Sequence, residues 1–307
     1  MRQNIKSPYF LRILSFILVS GFFAMQSPAL AQISPPDSGA GSNSSYNWAG
    51  YVASGAGYTS VSGNWTVPQI PSTTNFTADA SWIGIGGVNN TDLIQTGTQA
   101  ITSGSSATYQ AWYEMLPAVS QPISITVNPG DSISASIAES GTNQWTISLR
   151  DNTNGQNFQT VVSYDSSGSN AEWIEEMPSQ GNNAFIPLDN FGTIQFSGAA
   201  ATRNGQTLTP SQLGAQTMSM INTNGQILAE PSALGSDGAS FTVSRSSAAP
   251  STSTFTPYGR RGWSRVGVGV RGFGTRTNFQ TRRARPESFQ IAPGMTLNFF
   301  TRFSRKR

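Results

Sequence analysis

The chain of 307 residues contains neither cysteine nor histidine. This absence excludes Ser-His and Cys-His nucleophile systems, zinc sites with histidine ligands, disulfides and thiol redox chemistry. Charged residues are scarce, at 11% of the chain, and lysine is missing between residues 32 and 243. Any catalysis must therefore rely on carboxylates and amides, and we expect no metal and no cofactor.

The amino terminus has the pattern of a secretory signal peptide. Three basic residues border a mostly apolar run over residues 10–25, and the segment ends in Pro28-Ala29-Leu30-Ala31. This ending is a small-x-small cleavage site, and the apolar run is shorter than the ~20 residues of a membrane span. We predict that residues 1–31 are removed and that the protein is secreted, to the extracellular space or the periplasm. A retained membrane anchor is the alternative, and no later segment is predicted to cross a membrane.

Charge divides the exported chain into two parts. Residues 32–243 hold fourteen acidic side chains and two arginines, a formal net charge of −12, whereas residues 244–307 hold thirteen cations and one acid, or +12. This asymmetry predicts a globular domain followed by a basic tail. We place a flexible leader at 32–45, the domain at 46–243 and a disordered, arginine-rich tail at 244–307.

The basic tail mixes arginine with glycine and aromatic residues, a composition that can bind anionic polymers or surfaces. We expect its partner to be an anionic surface or the acidic domain of the same chain, and we expect no specific nucleic acid. Because carboxylates lose their charge in acid and arginine does not, contact with the domain should weaken as the pH falls. The alternative is a solvated tail that binds nothing.

Within the domain, apolar and polar residues alternate with a period of two. Residues 123–127, 133–137 and 145–149 each place their apolar side chains on one face, and segments rich in Asn, Gly and Thr separate them. Such turn-forming segments recur about every ten residues. The pattern predicts an all-β fold of antiparallel strands, arranged as a two-sheet sandwich or a barrel.

Six motifs follow one another in an order that resembles the glutamic peptidases, or eqolisins. They are Asn47-Trp48-Ala49-Gly50-Tyr51, Gly63-Asn64-Trp65-Thr66-Val67-Pro68, Trp82-Ile83-Gly84-Ile85, Ile94-Gln95-Thr96-Gly97, Tyr109-Gln110-Ala111-Trp112-Tyr113-Glu114 and Asn170-Ala171-Glu172-Trp173-Ile174. Each motif alone is a weak signal, but six in order are not expected by chance. The similarity extends over about residues 46–200.

The resemblance implies a concanavalin-like sandwich of two curved antiparallel sheets and a secreted acid endopeptidase that acts on polypeptides. The family is known from fungal acid proteases and also occurs in bacteria, and this chain is similar to a bacterial-type member. Fungal members often have Gly-Ile-Asp-Gly after the tryptophan, where this chain has Gly84-Ile85-Gly86-Gly87. One acid is therefore missing near the expected cleft.

The resemblance places the catalytic dyad on Gln95 and Glu172. An ionised Glu172 would take a proton from a water molecule, and the amide of Gln95 would hold that water or stabilise the oxyanion. Strand alternation permits both side chains to project from one sheet face. Trp65, Trp112 and Glu114 are candidate substrate-binding residues of the cleft, although burial in a core is the commoner fate of tryptophan.

Two other functions remain open on the residues alone. A secreted β-sandwich glycoside hydrolase would use Glu114 and Glu172 as its two carboxylates. A non-catalytic carbohydrate-binding module would need neither Glu172 nor Gln95. Hydrolysis assays on protein and on polysaccharide distinguish these functions from the peptidase.

Most of the remaining acids have simpler explanations. Asp131 and Asp151 lie in turn sequences and are expected to form turns. Glu175, Glu176 and Asp189 are expected to be solvated, and no catalytic role is assigned to them.

Overall fold

The computed structural model describes residues 43–88, 90–179 and 185–248, together with the backbone of Glu287–Ala292 and Met295–Phe299. The predicted signal peptide, nearly all of the leader and most of the basic tail lie outside the described residues. Within the described part of the chain, no helix combines the length and the apolar character that crossing a bilayer requires.

Sixteen strands and one short helix form the described domain between residues 43 and 248. In chain order these elements are β1 (Ser44–Ser45), β2 (Trp48–Ser54), β3 (Tyr58–Thr66), β4 (Thr77–Gly86), β5 (Leu93–Ser103), β6 (Ser106–Met115), β7 (Gln121–Ile123), β8 (Ser132–Gly141), β9 (Gln144–Asp151), β10 (Asn157–Ser163), β11 (Asn170–Glu176), β12 (Thr193–Arg203), β13 (Gln206–Leu208), α1 (Pro210–Leu213), β14 (Gln216–Ile221), β15 (Ile227–Pro231) and β16 (Phe241–Arg245).

The strands form two antiparallel layers that share one strand. The first layer has the order β10-β9-β8-β3-β12-β16-β15-β14, and the second has the order β2-β11-β4-β5-β6-β7. Strand β14 pairs through its first residues with β2 and through its last residues with β15, so the layers are continuous at this edge. This arrangement confirms the predicted all-β, concanavalin-like sandwich.

Burial alternates along the strands because each layer packs one face against the shared core. In β8, Ile133 and Ile137 are fully buried, while the serines between them are more exposed. The core contains Trp65 and Phe196 from the first layer and Trp173 from the second. Burial of one large apolar side chain stabilises the fold by about 1.5–3 kcal/mol. A domain without disulfides therefore depends on this core.

A second apolar cluster covers the opposite side of the second layer, which we call the outer face. Its buried members are Trp48, Val52, Ala80, Trp82, Leu93, Trp112, Ile174 and Met218. They alternate with residues that point into the core, as β11 shows with Trp173 inside and Ile174 outside. The outer face is the surface on which the candidate site lies.

Two of the three predicted strands are confirmed, and one is wrong. Residues 133–137 and 145–149 lie within β8 and β9, but residues 123–127 are not a strand beyond Ile123, where β7 ends. The backbone N–H of Ile125 bonds to the carbonyl of Ile123, and that of Thr126 bonds to the side chain of Gln156. Side-chain alternation is present there, but the backbone bonds locally instead of joining a ladder.

The carboxyl end of the domain extends past the predicted boundary at 243/244. Strand β16 continues to Arg245, whose guanidinium group donates to the carbonyl oxygens of Asp189 and Leu228, each at 3.0 Å. The domain therefore includes the first cation assigned to the tail. Further along the tail, β17 (Glu287–Ala292) and β18 (Met295–Phe299) pair as an antiparallel hairpin.

Candidate active site

One row of cross-strand partners brings the predicted dyad to the same face. Glu172 of β11 lies opposite Gly84 of β4, which lies opposite Gln95 of β5. Gln95 lies in turn opposite Glu114 of β6. Directly opposed residues project from the same side of a sheet. Since Trp173, the next residue after Glu172, points into the core, the whole row lies on the outer face.

Gly84 lies between the two predicted dyad residues, and neighbouring side chains cover it. Glu172 and Gln95 belong to strands two positions apart, so about 10 Å separates their backbones. A Cβ atom on Gly84 would lie 2.8 Å from the ring of Trp82 and 3.0 Å from a methyl group of Leu93. A larger residue therefore does not fit here without displacement, because Trp82 and Leu93 already fill the space over Gly84.

Gln95 is bonded to the carboxyl group of Glu114. Its Nε2 atom donates a hydrogen bond of 2.7 Å to Glu114 Oε2, and both side chains are buried. Burial raises the pKa of Glu114 to about 8, although the bond from Gln95 acts in the opposite direction. In acid Glu114 is a neutral carboxylic acid, and its contact fixes the orientation of the amide.

Glu172 is fully buried, and the described residues donate a hydrogen bond to only one of its carboxyl oxygens. Asn170 Nδ2 donates to Glu172 Oε1 and also to the carbonyl oxygen of Gly86, the latter at 3.1 Å. Glu172 Oε2 has no hydrogen-bond partner within the described part of the chain. Burial, followed by the negative charge of Asp92, raises the pKa of Glu172 well above its ordinary value. The resting site therefore favours the neutral acid.

The structure separates the two tryptophans that were predicted to contact substrate. Trp112 lies on the outer face with Trp48, and neither indole N–H has a partner within the described ranges. Trp65 lies in the core between the layers, where its Nε1 donates a bond of 2.8 Å to Thr98 Oγ1. The placement of Trp65 in the cleft was wrong because β3 belongs to the first layer, whose inner face is core.

The prediction that Glu176 is solvated was also wrong. Its side chain is buried on the outer face, where Oε1 accepts a bond of 2.9 Å from Asn47 and Oε2 accepts one of 2.9 Å from Trp82. Each carboxyl oxygen has a donor, so Glu176 joins β11 to β4 and to the residue just before β2. The two turn acids, in contrast, are as predicted. Asp131 accepts from the backbone of Asn128 at 2.7 Å, and Asp151 bonds within its own turn.

Glu175 and Asp189 are buried as well, and with Asp79 they form what we call the inner acidic cluster. Ser81 donates a bond of 2.7 Å to Glu175, and the carboxyl of Asp79 contacts both other carboxyls. Burial raises the pKa of Glu175 to about 8, that of Asp189 to about 10 and that of Asp79 well above its usual range. Arg245 partly offsets the shift at Asp189. Within the described ranges, no group of acidic side chains is arranged to hold a metal ion.

Two residues beside Glu172 were not singled out from the sequence. Asn170 shares the strand face of Glu172, and this i, i+2 spacing was the available signal. The sequence offered no such signal for Asp92, because its proximity to Glu172 depends on Gly86. A Cβ atom on Gly86, whose φ is 98°, would lie 2.3 Å from the carbonyl oxygen of Asp92 and 3.2 Å from its Oδ2. Asp92 thus brings a carboxylate next to the position where fungal members often carry an acid.

The fold and the outer-face row define the class: a β-sandwich enzyme with a carboxyl and amide pair on one sheet. The chain belongs to the Peptidase A4 family, whose sequence model matches residues 46–244. It is a glutamic-type endopeptidase, a hydrolase acting on peptide bonds. The family finding does not favour the glycoside hydrolase or the carbohydrate-binding module.

Individual relatives agree with this assignment. The chain is 31% identical to Aspergillopepsin-2 of Aspergillus niger over 216 residues, which cover 62% of this chain and 75% of that protein. It is 33% identical to Scytalidopepsin B of Scytalidium lignicola over 174 residues, or 53% and 65% of the two chains. A crystal structure of scytalido-glutamic peptidase with a transition state analog inhibitor aligns with a TM-score of 0.58 and 29% identity. That alignment covers 66% of this chain and 98% of the other.

Proposed function

We propose that Glu172 and Gln95 are the catalytic pair with which this peptidase cleaves polypeptides at acidic pH. The observation that supports this assignment is the row across β11, β4 and β5, in which Glu172 and Gln95 project from the outer face on either side of Gly84. The Oε2 atom of Glu172 is buried without a hydrogen-bond partner in the described residues. Once Trp82 and Leu93 move aside, a water molecule and a scissile carbonyl placed between the two side chains would contact both.

The reaction consumes one water molecule and balances without a covalent enzyme intermediate. Glu172 takes a proton from water through Oε2, and the water oxygen bonds to the carbonyl carbon. Gln95 donates an N–H to the oxygen on which negative charge develops, a contribution worth roughly 3–4 kcal/mol for a well-aligned donor. The C–N bond then breaks, and the proton on Glu172 passes to the leaving nitrogen.

The protonation of Glu172 sets the condition for the first step. Burial favours its neutral form in the resting site, whereas a general base must be ionised. A water molecule that enters with the substrate and bonds to Oε2 restores solvation, which lowers the pKa again. Because neither Glu172 nor Gln95 is exposed, a substrate reaches them only after neighbouring groups move aside.

Trp112 and Glu114 are proposed to bind substrate around this pair. The indole N–H of Trp112 has no partner in the described part of the chain, and a buried donor without a partner costs about 1–3 kcal/mol. A carbonyl oxygen of a bound peptide would satisfy it. Glu114 holds the amide of Gln95 at 2.7 Å and thereby fixes the direction of the proposed oxyanion donor.

The test compares Glu172→Gln and Gln95→Ala with the exposed-site control Glu139→Gln, on denatured protein at acidic pH. We expect Glu172→Gln to lower kcat at least ~10²-fold and Gln95→Ala to lower it by ~10²–10³-fold, with unchanged folding. Glu139→Gln should keep full activity because its side chain is on the surface. Near-normal hydrolysis by Glu172→Gln would refute the assignment of the base.

Secretion and the role of the tail are also proposals. We infer secretion from the amino-terminal pattern, and sequencing the mature protein should find Gln32 at its start; an intact residue 1 would contradict it. We infer that the tail contacts the acidic domain or an anionic surface. Because Arg245 belongs to the domain, the matched comparison is the full chain against one ending at Ala248. Equal salt response, vesicle binding and neutral-pH activity of both would eliminate the tail contact.

A further inference from the structure

A chain of hydrogen bonds leads from the segment before β5 to the carboxyl group of Glu172. Asn90 Nδ2 donates to Ser169 Oγ at 2.8 Å, and Ser169 Oγ donates to Asn170 Oδ1 at 2.6 Å. Asn170 Nδ2 then donates to Glu172 Oε1. Every bond in the chain has its donor on the side away from Glu172, so the last N–H points at the carboxyl group.

The start of this chain is fixed by bonds between two connecting segments. Asn90 Oδ1 accepts from the backbone N–H of Gly87 at 2.9 Å, and its Nδ2 also donates to Ser167 at 2.6 Å. Asp92 Oδ2 accepts from the backbone N–H of Ser167 at 2.7 Å. The segment before β5 and the segment before β11 therefore hold each other, and Ser169 lies at their junction.

The carbonyl oxygen of Gly86 determines which way the amide of Asn170 points, and Ser169 holds the amide in that orientation. A carbonyl oxygen can only accept, so the nitrogen of the amide must face Gly86, and the hydroxyl of Ser169 then donates to the amide oxygen. With the hydroxyl of Ser169 donating to Oδ1, the nitrogen faces Glu172 Oε1 and the carbonyl oxygen of Gly86. The buried amide therefore offers Glu172 a donor in a fixed direction.

We propose that Asn170, oriented by Gly86 and held by Ser169, is the positioning residue of the reaction, and that it reserves Oε1 so that Oε2 of Glu172 exchanges the proton with water. The inference rests on the proposed role of Glu172 as the base. Asn170 itself does not touch the reacting atoms; it acts through Glu172. A neutral Glu172 then carries its proton on Oε2, from which the proton reaches the leaving nitrogen.

Loss of this donor should change the titration of the base and not only the stability of the fold. A hydrogen bond to the carboxylate favours the charged form, so its removal raises the pKa of Glu172. The other ionisable groups whose charges act on Glu172 are Asp92 and Tyr58, whereas Glu114 lies three strands away in the same row. None of them is altered by a substitution at Ser169 or Asn170.

The matched pair of variants is Ser169→Ala and Ser167→Ala. Both serines accept a bond from Asn90, but only Ser169 passes the chain on to Asn170. We expect Ser169→Ala to lower kcat several-fold at unchanged KM and to move the acidic limb of the pH profile upward. Ser167→Ala should match the wild type in kcat, in KM and in the acidic limb of the pH profile. Equal behaviour of the two variants would overturn the proposal.

Asn170→Leu removes the donor from Glu172 with little change in side-chain size and adds no charge. We expect kcat to fall by about 10- to 100-fold, as for other misplaced catalytic groups, and the acidic limb to shift upward. A carboxyl ¹³C titration of Glu172, assigned with Glu172→Gln, should show the same shift without substrate. An unchanged titration in Asn170→Leu would overturn the positioning role.

Two controls separate the possible failures. Asn47→Ala removes another buried asparagine that donates to a glutamate of β11, at Glu176, and should alter stability without moving the pH profile. If Glu172→Gln itself stays active, the proposed function fails. If Glu172→Gln is inactive while Ser169→Ala and Asn170→Leu keep the wild-type pH profile, only the positioning role fails.

Discussion

Strand β11 presents buried glutamates on both faces of one sheet, and the two faces use them differently. Glu172 on the outer face lies beside Gly84, in the row that continues to Gln95. Glu175 on the inner face contacts Ser81 and Asp79 within a packed core. Burial raises the pKa of both carboxyls. A raised pKa alone therefore does not distinguish the proposed catalytic acid; the row that Glu172 shares with Gln95 does.

The two faces also differ in how their carboxyl groups affect the stability of the fold. Carboxyl groups that touch one another must hold protons between them, and the inner acidic cluster does so between two sheets. The outer face avoids such contact, since an amide stands between Glu172 and Glu114 in the row. The carboxyl groups of the outer row therefore share fewer protons with one another. The protons that the inner acidic cluster holds make the stability of the fold depend on pH.

The largest effect on the outer face is expected from a substitution at Gly84. Gly84→Ala would place a methyl group 2.8 Å from the ring of Trp82, and overpacking of this kind costs about 1–3 kcal/mol in unfolding free energy. We expect kcat to fall about 10²-fold because the added carbon would also lie 3.3 Å from the Cβ of Gln95 and displace the proposed catalytic amide. Gly141→Ala, whose Cβ would meet only Gln144 at 3.8 Å, is the control. Full activity in Gly84→Ala would show that the geometry of the proposed dyad does not depend on Gly84.

The next effect concerns the pH dependence of stability. The folded-state pKa values of Glu175 and Asp189 are about 8 and about 10, above the values near 4 in the unfolded chain. The unfolded state therefore releases its protons first, and stability falls as the pH rises from about 4 toward 8, by roughly 1.4 kcal/mol per pH unit for each retained proton. Chemical denaturation between pH 4 and pH 8 measures this slope, and a stability that is flat or rising would contradict it.

Glu175→Gln should make that slope shallower. The amide cannot ionise, so the folded state retains one proton fewer relative to the unfolded state. The pH at which half of the protein has unfolded, on the neutral side, should therefore rise. Glu139→Gln, at an exposed position, should leave the midpoint in place. An equal midpoint in both variants would show that the inner acidic cluster does not limit stability.

The smallest effect is expected at a turn. Asp131→Asn keeps an oxygen that can accept from the backbone N–H of Asn128. We expect a loss of less than about 1 kcal/mol in unfolding free energy and no change in activity. A larger loss would mean that the charge of Asp131, and not its acceptor, stabilises the turn.

Local patterns predicted the strands well, and long-range pairing explains the failures. Period-two alternation identified β8 and β9 because one face of each strand lies on the core. The same alternation misled at residues 123–127, since a backbone that bonds to nearby groups can still bury every second side chain. Alternation reports side-chain burial and carries no information on the hydrogen-bond partner.

The candidate-site residues that lie in recognisable motifs were predictable from the sequence. Those whose placement depends on strand register were not. The motif resemblance predicted Gln95 and Glu172, and the structure places both on one face. Which face is core was not available from Trp65 alone, and so it was placed in the cleft. The burial of Glu175 and Asp189 was missed because their partners lie in distant segments of the chain.

The most direct test of the central claim measures kcat at acidic pH for Glu172→Gln and Glu175→Gln side by side, together with unfolding of each. The account predicts that Glu172→Gln loses at least ~10²-fold in kcat while it stays folded. It predicts that Glu175→Gln keeps its activity in acid and resists unfolding at neutral pH. Activity that survives in Glu172→Gln but disappears in a folded Glu175→Gln would contradict the account, because the catalytic carboxyl would then belong to the inner face.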